Sequence, residues 1–120
     1  ITKIDCAIIT ENALIFVEGK RTEKEPSRNI LWYKNRNQII RQLDCGIEVQ
    51  RKLKKKYFFN ALIVEDDVKE QINILKHYMT EPELKIQLPH LEKSERVELL
   101  NHFVGATTWK TAADFINISF

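Results

Sequence analysis

Three side chains near the N-terminus, Asp5, Glu18 and Lys20, are of the types that hold a divalent cation and manage charge around a phosphate. Asp5 lies in the run "KIDCAIIT", while Glu18 and Lys20 end the run "ALIFVEGK". Between the two apolar runs, Glu11-Asn12 has turn chemistry, which predicts a tight hairpin. A two-residue turn pairs Thr10 with Ala13 and Ile9 with Leu14, and a symmetric four-residue turn gives the same ladder. Continued along the strands, that ladder sets Asp5 opposite Glu18. Strand alternation puts Lys20 on the same face as Glu18.

Like charges directly opposed across a strand pair destabilise a sheet. With Ile9, Leu14 and Phe16 nearby, little water is left to relieve the repulsion. A hard cation between the carboxylates would relieve it. Mg²⁺ suits the position because it takes one or two carboxylates and completes its shell with water and phosphate oxygens; Mn²⁺ can substitute. An ammonium beside such a site positions the attacking water or stabilises charge at the phosphate. The plainer reading stays open: a strand end reaching water, with Asp5 a surface residue.

The elements that must position these groups follow from periodicity. Residues 3–10 and 13–20 are rich in β-branched residues and read as strands. Residues 21–34, with Pro26, read as a loop leading into a helix over about 35–55. There Ile39 or Ile40, Leu43 and Ile47 recur at helical spacing. Gly46 costs that helix about 1 kcal/mol relative to Ala, so close packing on the sheet is expected there. "YFFNALIVE", 57–65, is a nearly continuous apolar run, as in a strand covered on both faces. Strand, helix and strand predict a right-handed crossover within one sheet. Asp66-Asp67 is expected to cap a helix carrying Val68, Ile72, Leu75 and Met79. "LKIQLP" reads as a short strand or extended connection. Ser94 is expected to cap a helix running to Val104 and stopped by Gly105, with a last helix from Thr108 to about Asn117.

The spacing Asp5…Glu18-Gly19-Lys20 resembles the D…(D/E)xK signature of the PD-(D/E)XK nuclease superfamily, the restriction-endonuclease-like fold. In that family the Asp lies on one strand of a hairpin and the (D/E)xK on the next, followed by a helix and a strand. Residues 3–65 show that order. The resemblance implies an α/β fold with a mixed sheet, a β-hairpin, a crossover helix and a further strand, with helices following. It implies Asp5 and Glu18 as metal ligands, Lys20 as the catalytic lysine, and hydrolysis of a nucleic-acid phosphodiester, with DNA as the expected substrate. Ile4 stands where the family has Pro, and the helix that usually precedes the hairpin is not in this chain. The rival reading keeps the fold without the activity, as a module that binds nucleic acid or assembles with a protein partner.

Gln38 and Arg41, one turn apart on the first helix, are candidates to support the site. Some nuclease branches use a Gln from this helix in that way; an ordinary polar face is the alternative. Arg21, Arg28, Lys34 and Arg36, interleaved with Trp32 and Tyr33, form a candidate nucleic-acid surface, since aromatics stack on unpaired bases. The basic run "RKLKKK", 51–56, suits phosphates and equally suits a helix C-terminus. Glu65 to Asp67 could add to a metal site, although capping explains Asp66 and Asp67 more simply. "VGATTW", between the last two expected helices, loosely resembles a helix-turn-helix turn.

The rest of the composition excludes whole classes. At 120 residues, with 43% hydrophobic and 30% charged residues, the chain suits one globular domain, with a core over 1–80 and a helical extension over 81–120. No apolar run approaches the ~20 residues needed to cross a bilayer, and no signal-peptide pattern is present. Two cysteines give no disulfide framework, which fits a cytoplasmic protein. The three histidines have no metal-ligand spacing, and three glycines make no phosphate loop. The net charge of +2 permits a nucleic-acid partner. A homodimer or larger assembly is open, and the start at Ile1 reads as a piece of a longer protein.

Overall fold

The computed structural model describes residues 4–20 and 37–115, and the elements named below are those of the described residues. Cys6–Ile9 (β1) and Ala13–Lys20 (β2) form an antiparallel hairpin with Cys6 on Val17, Ala7 on Phe16, Ile8 on Ile15 and Ile9 on Leu14. The Thr10 N–H donates to the Ala13 carbonyl at 2.9 Å, closing the expected turn at Glu11-Asn12. A helix, Gln38–Leu53 (α1), crosses over to Tyr57–Val64 (β3), which runs parallel to β2. Three helices follow: Val68–His77 (α2), Glu81–Gln87 (α3) and Lys93–Leu100 (α4). The strand Phe103–Thr108 (β4) then returns to the sheet parallel to β3, and Trp109–Phe115 (α5) leaves it. The sheet order is β1-β2-β3-β4. The fold is therefore α/β with a four-stranded mixed sheet.

The first helix starts where the Asn37 side chain accepts the Ile39 N–H at 2.8 Å, satisfying one of the unpaired donors of the first turn. It ends at Lys54, which is left-handed with φ 55°. Its stripe of Ile39, Ile40, Leu43 and Gly46 is buried against the sheet face formed by Leu14, Phe16, Phe58, Leu62 and Val64. Gly46 is there for space. A Cβ at this position would lie 2.0 Å from Cζ of Phe58, whose ring packs edge-on to Phe16 with centroids 5.3 Å apart.

The C-terminal third departs from its sequence pattern. Leu84 to Leu88 is helical rather than extended. Residues four apart share a helix face, so Leu84 and Leu88 are both buried while Ile86, which a strand would have buried with them, is exposed. Pro82 in the first turn and Glu81 and Glu83 beside it favour a helix start. The next helix is capped by Glu92, in a capping box with Glu95, and not by Ser94. It ends at Leu100, and "FVGATT" is a strand. Val104, Thr107 and Thr108 are β-branched, Phe103 and Ala106 pack on the core, and Gly105, with φ +123°, sits at a register shift against Asn60 and Ala61. This overturns both Gly105 as a helix stop and "VGATTW" as a helix-turn-helix turn.

The third strand is also not covered on both faces. Phe58, Asn60, Leu62 and Val64 are buried, and Tyr57 and Phe59 are exposed. Asp67 precedes α2 as expected, but its side chain makes no capping bond.

The buried Arg96 ties the C-terminal helices together. Its guanidinium donates to Oε1 of Glu81 at 2.6 Å and to the Leu91 carbonyl. The hydrogen bond from Arg96 is the largest cause holding the Glu81 carboxyl below the usual carboxylate range. Among the described residues, no helix is long and apolar enough to cross a membrane.

The fit of Gly46 gives a direct test. Gly46→Ala gains helix propensity of about 1 kcal/mol but forces the Phe58 ring aside, an overpacking cost of about 1–3 kcal/mol or more. Urea denaturation should show a net loss of stability. An unchanged or higher midpoint would contradict this packing.

Candidate functional site

Strand alternation carries Leu14, Phe16 and Glu18 to the same side of β2, facing α1. Glu18 is 6% exposed. A carboxylate removed from water is costly unless hydrogen bonds replace its hydration. The first helix supplies them: Nε2 of Gln42, a residue 0% exposed, donates to Oε1 of Glu18 at 2.7 Å. Nε2 of Gln38 approaches the same oxygen at 3.4 Å. The two glutamines are one turn apart and grip the carboxylate from a single helix face. Arg41, the residue before Gln42, is half-buried.

Asp5 meets the same strand end from the neighbouring side. In this ladder, residues that exchange main-chain hydrogen bonds alternate: Thr10 with Ala13, Ile8 with Ile15, Cys6 with Val17. The next such pair would be Ile4 with Gly19. Regular pairing ends at Cys6, however, and Oδ2 of Asp5 accepts the Gly19 N–H at 2.9 Å. The Asp5 carboxylate thus stands in for the missing backbone acceptor. Asp5 is thus hydrogen-bonded to the residue that follows Glu18. Asp5 is exposed where Glu18 is buried.

Lys20 is described through its backbone, which pairs with Val64; its side chain lies outside the described residues. So do Arg21, Arg28, Lys34 and Arg36, together with Trp32 and Tyr33. Glu65, Asp66 and Asp67 are exposed beyond the end of β3.

Two contributors had no place in the sequence reading. Gln42 had a signal, since a polar residue within the stripe Ile39, Leu43, Gly46 demands a buried partner. Trp109 had none, because the strand that delivers it reads in sequence as a helix end, a Gly105 stop and a turn. Its ring lies on the outer face of Gly19, where a Cβ would come within 2.9 Å of Cζ2 and 3.8 Å of Oδ2 of Asp5. The middle residue of Glu18-Gly19-Lys20 is therefore held small by Trp109 on one face while Gln42 grips Glu18 on the other.

Oxygen donors suit Mg²⁺ or Mn²⁺, and two carboxylates are enough for an ion that keeps several waters. Among the described residues, no group of three His, Cys, Asp or Glu side chains could hold a metal. His90 pairs with Asp44 at 3.1 Å, and Nδ1 of His102 lies 2.9 Å from the Phe58 carbonyl. Burial first, then Asp44 and Glu48, push the Cys45 thiol above its ordinary value, which disfavours the thiolate needed for nucleophilic chemistry. Comparison with protein-family models, curated proteins and solved structures gives no match.

The packing of Trp109 on Gly19 predicts coupling between the two positions. Gly19→Ala should destabilise by about 1 kcal/mol or more, and Trp109→Leu should relieve part of that cost. A double-mutant cycle measured by urea denaturation should give a favourable interaction energy of about 0.5–2 kcal/mol. Strict additivity would show that the ring does not control residue 19.

Proposed function

We propose that this chain is a Mg²⁺-dependent nuclease domain of the PD-(D/E)XK type, acting on DNA. The observation that carries the reading is Glu18. A carboxylate is buried at the end of a central strand, fixed by two glutamines and followed by Gly-Lys, and a second acid, Asp5, accepts the Gly19 N–H beside it. Burying a carboxylate in this way is poor for stability alone and useful for presenting an oxygen donor in one orientation.

In this mechanism Asp5 and Glu18 hold the cation. A Mg²⁺ ion held there would supply polarisation of the phosphate and a lowered pKa for a bound water. Gln42 and Gln38 fix Oε1 of Glu18, so the carboxylate would meet a cation without reorganising. The Lys20 ammonium orients the attacking water or offsets charge on the phosphate. Arg41 supports the phosphate side, and the basic residues Arg21, Arg28, Lys34 and Arg36 bind the flanking backbone. The hairpin, α1 and β3 are the elements that the restriction-endonuclease-like arrangement requires, in that order.

One observation favours a second reading. The Asp5 carboxylate already accepts the Gly19 N–H, a structural task that would suit a module keeping the fold and binding nucleic acid or a protein partner without hydrolysis.

The two readings separate on a panel of nucleic acids incubated with Mg²⁺ or Mn²⁺. As a nuclease, the parent cleaves, and Asp5→Ala and Lys20→Ala each lose about 100-fold or more with unchanged circular dichroism. A parent that binds without cleaving supports the second reading. Cleavage that persists unchanged in either variant rules out this mechanism.

A further inference from the structure

We infer that the outer face of the sheet, at the end away from Glu18, is a binding surface for single-stranded DNA. The inference stands on its own chemistry and not on the metal site. One face of the sheet is filled by α1. On the other, Trp109 of α5 sits on Gly19, near the end where β2 and β3 finish. The opposite end carries an apolar row across three strands: Ile8, Ile15 and Phe59 are register partners, with Tyr57 beside them on β3.

Ile8 and Tyr57 are each 45% exposed and Phe59 is 37% exposed. The Tyr57 and Phe59 rings lie nearly parallel, with centroids 6.0 Å apart and planes within 10°. Aromatic rings presented by a sheet face are a recurrent platform for unpaired bases.

Charge selects the partner. The run Arg51-Lys52-Leu53-Lys54-Lys55-Lys56 joins α1 to β3 and leads directly into Tyr57. Arg51, Lys52, Lys54 and Lys56 are exposed. Nζ of Lys56 lies 5.3 Å from the Tyr57 ring centroid, which places a cation at the margin of the aromatic pair. Nζ of Lys55 contacts the Glu11 carbonyl at the hairpin turn, extending the basic margin towards β2. A polyanion that also offers flat apolar rings meets both features; a duplex, whose bases are stacked inside, meets only the charge. The apolar side chains of Ile8 and Ile15 suit the thymine methyl, so the committed ligand is thymine-rich single-stranded DNA. Five strand residues separate Tyr57 from the level of Glu18, about 17 Å, so a strand bound here lies well away from the metal ligands.

The test is fluorescence anisotropy with labelled oligothymidine of about 15 nucleotides, in EDTA so that metal binding and cleavage play no part. Tyr57→Ala and Phe59→Ala should each weaken binding about tenfold, and Tyr57→Phe should restore it. Lys56→Gln should lower the salt dependence by about 0.7 in log–log slope. Lys110→Gln, an exposed cation on α5 at the other end of the sheet, should bind as the parent does, so a loss confined to the aromatic and Lys56 variants places binding at this end.

Four outcomes would overturn the inference: duplex DNA bound as tightly as the single strand, RNA of the same length bound more tightly, aromatic variants without effect, or sedimentation showing that the face closes on a second copy. If an alanine variant fails to fold, Phe59→Tyr, which keeps the ring, together with Lys54→Gln decides between stacking and charge.

Discussion

The site rests on the hydrogen bond from Gln42 to Glu18. Both groups are removed from water, so each would be expensive without the other. Their partnership fixes where α1 sits along the sheet, because the helix must bring residues 38 and 42 over the end of β2 while Gly46 clears the Phe58 ring. The polar contact and the glycine gap are four residues apart on one helix. Together they set both the height and the rotation of α1, and the apolar stripe of Ile39, Ile40 and Leu43 fills what lies between. A core made only of apolar side chains would tolerate other registers.

The C-terminal third completes the sheet. Arg96 holds α4 to Glu81 and to the Leu91 carbonyl, and the chain then enters the sheet as β4 beside β3. This places Trp109 against Gly19 on the face opposite Gln42. The strand end bearing Glu18 and Lys20 is thus bounded by a helix from the first half and a tryptophan from the second.

Much of the first half was legible. The Glu11-Asn12 turn sets the register, and helical spacing marks Ile39 or Ile40, Leu43 and Ile47, of which Ile39, Ile40 and Leu43 are buried and Ile47 half-buried. Gly46 in that stripe points to close packing on the sheet; that the neighbour is the Phe58 ring is shown only by the structure. The limits were physical. Leu84 and Leu88 satisfy a strand period and a helix period equally, and only the exposure of Ile86 separates them. Phe103 to Thr108 reads as a helix end, a Gly105 stop and a turn into a last helix, whereas the parallel pairing with β3 that makes it a strand is a tertiary fact. The apolar run of β3 suggests burial on both faces, yet Tyr57 and Phe59 are exposed. For the site, Asp5, Glu18 and Gln38 could be named from type and spacing. Gln42 was hidden in an apolar stripe, and Trp109 depended on the unread strand.

The central claim is that Glu18, fixed by Gln42, presents oxygen to a divalent cation. Mn²⁺ binding followed by electron paramagnetic resonance tests this without requiring substrate or cleavage. The account predicts one Mn²⁺ site per chain, lost in Glu18→Gln and weakened about tenfold or more in Gln42→Leu, with both variants folded. A parent that binds no Mn²⁺, or a Glu18→Gln variant that binds it as well as the parent, would contradict the account.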